Sequence, residues 1–126
     1  MIYTSYFGKL QELEKNNLVP VAICGGIPDW YKGKWYRKLA PSWSIWSEYD
    51  KSKDSVRYTE RFVDEILDKR DPKKCYQDLC ELTGKTYGFV MLCYEKPNQF
   101  CHRHLVADWF NHHGIICREW ESPEEF

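Results

Sequence analysis

The chain has 126 residues and a mass of 15.2 kDa, the size of one compact domain and too short for two ordinary ones. With 18 basic against 19 acidic side chains, net −1, it has no general attraction for duplex phosphates or anionic membranes, which excludes duplex DNA and a membrane surface as partners and confines any nucleic-acid contact to a local patch. No apolar run approaches the roughly 20 residues of a membrane span, and the first residues lack the basic and apolar stretches of a signal peptide, so a cytoplasmic location is expected.

Met1 to Phe7 is mostly β-branched, aromatic or apolar and reads as a first strand. Gly8 to Asn17 suits a short surface helix carrying Leu10 and Leu13. Val19 to Cys24 is a compact apolar run closed by Gly25-Gly26, a buried strand ending in a tight turn. From Ile27 to Asp50, Pro28, Gly33 and Pro41 break every period, and a long aromatic loop is expected, of the kind that is usually functional. Asp54 or Ser55 caps a helix with Tyr58, Phe62 and Ile66 on one face. Asp71-Pro72 starts another, with Cys75, Leu79 and Leu82 as its apolar stripe and Gly84 as its stop.

Tyr87 to Tyr94 is apolar on both faces, as a central parallel strand must be. After Lys96-Pro97-Asn98-Gln99-Phe100 a helix starts near Cys101 or His102 and stops at Gly114, and Ile115-Ile116-Cys117 begins a last strand. The acidic tail, residues 121–126, is expected to fray. This order predicts a single α/β layered domain over 1–126, with a mostly parallel sheet of about four strands flanked by helices and one long loop.

Parallel strands share one C-terminal edge, and open α/β sheets bind ligands there. That edge collects Thr4 and Ser5 after the first strand, Gly25 and Gly26 after the second, and Glu95 with Cys101-His102-Arg103-His104 after the third. A helix N-terminus at Cys101 can hold a phosphate or carboxylate, and Arg103 would add a planar bidentate donor. Cys101 and His102 are candidate reacting groups, with Glu95 as general base or orienter. Of six cysteines, Cys24, Cys75, Cys80, Cys93 and Cys117 lie among apolar neighbours and only Cys101 has polar company; all are expected to be reduced. Cys101 and His104 stand at i, i+3 and Cys93 or Cys24 could approach them, but the paired spacing of a structural zinc site is missing, so neither a metal nor another cofactor is expected.

The segment from Trp30 to Lys38 interleaves Trp30, Tyr31, Trp35 and Tyr36 with four basic residues and no acid. Aromatic rings beside cations hold nucleobases and single strands, and the same rings can simply anchor a long loop.

Ile2-Tyr3-Thr4-Ser5-Tyr6-Phe7, the run from Gly25 to Gly33, Leu39-Ala40-Pro41-Ser42-Trp43, and above all Leu92-Cys93-Tyr94-Glu95-Lys96-Pro97 followed by Phe100-Cys101-His102-Arg103-His104 resemble the DUF488 family over nearly the whole chain. The resemblance implies that Glu95, Cys101, His102 and Arg103 are motif positions, with Gly26, Pro28, Tyr31 and Pro41 belonging to a short subgroup. It implies a family site rather than a named reaction. Gly25 stands where the family pattern has a basic or polar residue.

These readings converge on a domain that binds a small anionic ligand, a nucleotide or a nucleic-acid end, with Arg103 on phosphate and loop aromatics on a base, and with Glu95, Cys101 and His102 as the catalytic candidates. The alternative is a noncatalytic interaction module of a regulatory or phage-type protein, in which the aromatic loop 27–50 meets a protein partner.

Overall fold

The computed structural model describes residues 1–85, 88–95 and 100–123. The expected start of the central strand at Tyr87, the Lys96-Pro97-Asn98-Gln99 link and the tail from Glu124 lie outside the described residues.

Five parallel strands form one sheet: β1 (Ile2–Tyr6), β2 (Val19–Ala22), β3 (Lys34–Trp35), β4 (Phe89–Cys93) and β5 (Cys117–Glu119), in the spatial order β3-β2-β4-β1-β5. β4 is central and buried along its whole length, which accounts for its unbroken apolar sequence. Its register sets Val21 beside Met91 and Ser5 beside Leu92, so the strand ends of β1, β2 and β4 are level.

Five helices cover the sheet: α1 (Leu10–Lys15), α2 (Trp43–Ser52), α3 (Ser55–Glu65), α4 (Pro72–Thr83) and α5 (His102–His112). One core gathers Ile45, Phe62, Leu79, Val106 and Phe110 from α2 to α5 against Ile2, Phe89 and Met91 of the strands. A smaller core packs Leu13 of α1, Phe7 and Tyr31 against Ala22, Val90 and Leu92. The alternation of Phe89 and Met91 with Val90 and Leu92 is thus an alternation between the two cores, as the period of a strand requires.

The capping residues expected for α3 and α4 are in place. Asp54 accepts a hydrogen bond from the Arg57 amide at 3.1 Å, and Asp71 from the Lys73 amide at 3.0 Å. Gly84 ends α4 at φ +72°, a left-handed conformation that glycine adopts without a Cβ clash. The Arg61–Glu65 pair forms at 2.7 Å, and Arg61 also reaches Glu48 of α2 at 2.6 Å, tying the two helices together.

The expected loop from Ile27 to Asp50 is largely structured, which corrects that reading. Its sequence holds the edge strand β3, a turn of 3-10 helix at Arg37–Leu39 and all but the last two residues of α2. No core period marks α2 because only Ile45 is buried, while Trp43 and Trp46 stay 77% and 51% exposed. Its one local signal is the N-cap: Ser42 Oγ accepts from the Ile45 amide at 3.2 Å. Replacing Ser42 by Ala is expected to destabilise the domain by about 1 kcal/mol, read as a lower urea midpoint at unchanged slope. The last strand also starts later than expected, at Cys117. Asn111 brackets that residue, accepting from its amide at 2.8 Å and donating to its carbonyl at 2.6 Å, so Ile115 and Ile116 serve as the link into β5. Ser122 in the tail is buried, not frayed.

Candidate functional site

After β2 the chain moves outward to β3, whereas after β4 it runs the other way, past β1, to β5. The two connections diverge between β2 and β4, which makes the gap beyond their C-terminal ends the switch point where α/β sheets bind ligands. A cleft of about 670 Å³ occupies that place. Cys24, Gly25 and Gly26 follow β2 at one side of it, and Cys93, Tyr94 and Glu95 end β4 at the other. The Tyr94 hydroxyl spans the mouth, donating to the Gly26 carbonyl at 3.0 Å. α2 and α3 supply an aromatic wall of Trp43, Trp46, Tyr49 and Tyr58, which Phe100 completes, and Arg37 stands at the rim.

Cys101 and His102 form the floor where α5 begins, with Cys101 as the N-cap residue. His102 is buried and its Nε2 lies 2.7 Å from the Ile23 carbonyl. A carbonyl only accepts, so Nε2 carries the proton and Nδ1 keeps its lone pair, which faces Cys101 Sγ at 3.9 Å. Burial, with further help from the Arg103 charge, lowers the His102 pKa to about 4, so the ring is neutral at ordinary pH. Burial likewise pushes the Cys24 thiol up to about 11, which keeps it protonated. The cluster breaks a local rule: the first turn of α5 has no acid and carries His102 and Arg103 at the positive end of the helix dipole. Such a conflict is expected where residue choice serves a site more than the helix.

Cys93 and Cys101 are joined by a disulfide, which corrects the expectation that all six thiols are reduced. The remaining free cysteines are Cys24, Cys75, Cys80 and Cys117. Sequence distance hid the pair, because seven residues separate Cys93 at the end of β4 from Cys101 at the N-cap of α5.

Arg103 does not face the cleft. It is fully buried, and its guanidinium grips Glu119 with Nε to Oε1 at 3.1 Å and Nη2 to Oε2 at 2.9 Å. Its remaining donor, Nη1, reaches the Glu95 carbonyl at 2.5 Å and Cys93 Sγ at 3.3 Å. The acid that claims it comes from β5, which the sheet places beside β1. Thr4 belongs to the same network, donating to Glu119 Oε1 at 2.7 Å, and Ser5 is buried at the register position opposite Leu92. Neither touches the cleft.

The ring candidates separate as well. Tyr31 is buried against Phe7 and donates to the Lys34 carbonyl at 2.6 Å, while Tyr36 donates to Asp78 at 2.7 Å. Trp30 is exposed, edge-on to Phe7, and lies outside the cleft lining. The structure therefore brings together Glu95, Cys101, His102, Gly25 and Gly26, and sets Thr4, Ser5, Trp30, Tyr31, Tyr36 and Arg103 elsewhere. The aromatic wall comes instead from Trp43, Trp46, Tyr49 and Tyr58, and the rim cation is Arg37, stacked 4.9 Å from the Trp35 ring centroid. The i, i+3 spacing of Trp43 and Trp46 was the available signal once α2 is a helix.

Residues 14–114, most of the chain and including the whole Cys-His-Arg turn, match the family described as the active DUF488-N3 subclade. The chain belongs to the DUF488 family. No curated protein and no solved structure matches it significantly. In this DUF488 domain the motif residues Glu95, Cys101 and His102 share the cleft, and the fourth, Arg103, braces it from beneath. No helix among the described residues is long and apolar enough to cross a membrane.

Proposed function

We propose that this DUF488 domain is an enzyme that binds a nucleotide or the end of a nucleic-acid strand in the cleft and acts on it with the groups at its floor. The observation that carries this reading is the coincidence in one cleft of a sulfur, imidazole and carboxylate cluster with a wall of aromatic rings and a rim arginine. Trp43 and Trp46 line the cleft together with the Gly25-Gly26 turn and offer faces on which a base can stack. Arg37 makes no salt bridge among the described residues, so its guanidinium is available to a phosphate. His102, neutral with a lone pair on Nδ1, suits proton transfer, and Glu95 offers a second base at the mouth. The description of the subclade as active agrees with a reacting site. The tryptophans of α2 line a concavity, which favours a small ligand over a protein partner on the same segment.

Trp43 and Trp46 are exposed, so either can be truncated without opening the core. Nucleoside monophosphates are expected to quench tryptophan fluorescence on binding, and Trp46→Ala to weaken binding by about 5 to 150-fold, the 1–3 kcal/mol of one stacked base. Arg37→Ala should weaken a monophosphate more than the parent nucleoside. Absence of quenching by any nucleotide, or equal binding by the variants, would overturn the reading.

A further inference from the structure

Cys93, Cys101 and His102 are all buried and hold their donor atoms within 4.8 Å of one another at the cleft floor. We infer that in the dithiol form these three residues bind a divalent metal ion of the zinc class, with the fourth coordination position open to the cleft beside Glu95. The inference goes beyond the nucleotide reading: with the metal bound, the Nδ1 lone pair of His102 is a ligand and Glu95 is the base left at the cleft.

The donor set comes first. Two thiolates and one imidazole select zinc among the common divalent ions, and three protein ligands with one open position is the arrangement of catalytic rather than structural zinc. Metal–sulfur bonds of about 2.3 Å and metal–nitrogen bonds of about 2.0 Å at tetrahedral angles set sulfur and nitrogen about 3.5 Å apart. Cys101 Sγ and His102 Nδ1 stand 3.9 Å apart, and Glu95 Oε2 is 3.7 Å from Cys93 Sγ. The two sulfurs must move apart, and the backbone already allows it: the Cα atoms are 7.4 Å apart, wider than the usual disulfide span of about 4.4–6.8 Å.

A ligating imidazole characteristically donates its other N–H to a carbonyl or carboxylate, and His102 Nε2–H does so to Ile23, aiming Nδ1 at the sulfurs. Arg103 Nη1, 3.3 Å from Cys93 Sγ, supplies a charged donor to a thiolate. Loading requires reduction first. A dithiol reductant breaks the Cys93–Cys101 bond, becomes the disulfide itself, and leaves one proton on each sulfur; the metal ion then displaces those two protons to solvent. The spacing rule for zinc sites misses such a cluster because the ligands come from a strand end and a helix start instead of two close cysteine pairs.

The test is cobalt titration of the full chain, reduced with dithiothreitol and freed of reductant without air. One equivalent of Co²⁺ is expected to give thiolate-to-cobalt charge transfer and the intense visible bands of a tetrahedral site, with zinc bleaching them. Cys93→Ser and Cys101→Ser should each abolish the bands at stoichiometric cobalt, and the oxidised protein should show none. Should either variant fail to fold, alkylation of the reduced wild type with and without zinc decides, since zinc should protect Cys93 and Cys101 selectively. Absence of a stoichiometric complex, bands that persist in both variants, or no selective protection of these two thiols would overturn the inference.

Discussion

Arg103→Ala is expected to destabilise the domain by about 3–5 kcal/mol, the loss seen when one member of a buried ion pair is removed. The side chain is fully buried, and four of its contacts would vanish together: both oxygens of Glu119, the Glu95 carbonyl and Cys93 Sγ. Glu119 is 22% exposed, so its carboxylate would keep some hydration but lose its bidentate partner. Arg103→Lys should recover little, because a point charge cannot span two carboxylate oxygens and a carbonyl at once. Urea unfolding of the two variants and of Glu119→Gln measures this. A loss below about 1 kcal/mol for Arg103→Ala, joined to lost ligand binding, would mean that the guanidinium serves the ligand and not the frame.

Acid is expected to weaken the fold through His102. In the unfolded chain the ring takes up its proton near the ordinary value of 6.5, whereas in the folded protein burial delays this to about 4. Between those two values the unfolded state binds the extra proton, so stability falls as pH falls, and the decline stops once both states are protonated. The contribution is fully present above pH 6.5, and a gap of this size corresponds to about 3 kcal/mol lost by pH 4. Urea midpoints from pH 7.5 to 4 should show the decline, and His102→Gln, which retains a donor for the Ile23 carbonyl, should flatten it. Carboxylates with lowered pKa values, such as Glu65 and Asp78, exert their effect at lower pH, so the difference between wild type and variant isolates the imidazole. A variant profile that parallels the wild type would show that His102 is not buried as a neutral ring.

The two effects share a cause. α5 starts with two basic residues packed into the protein, one neutral because it is buried, the other a guanidinium whose charge Glu119 meets. Each fixes one side of the floor: His102 fastens α5 to the end of β2 through Ile23, and Arg103 fastens it to β4 and β5. The cleft geometry and the stability of the fold are therefore coupled, and a substitution at either residue has to be read by unfolding as well as by binding.

Elements whose own residues carry both their period and their ends were legible in the sequence. α3 and α4 have a buried stripe with Asp54, Asp71 and Gly84 at their termini, and β4 is apolar on both faces because it lies at the sheet centre. The Cys-His-Arg turn and Glu95 could be placed at one sheet edge, since a parallel α/β order sends every strand end to the same side. α2 could not be seen, because its tryptophans face a cleft instead of the core and only Ile45 is fully buried. The pairings of Arg103 with Glu119 and of Cys93 with Cys101, and the burial of Tyr31 and Tyr36 away from the cleft, were decided by tertiary structure alone. Local sequence reports periodicity and caps, which arise within a few residues. It does not report which strand lies beside which, and in this protein strand order is what sets Glu119 under α5 and opens the gap between β2 and β4.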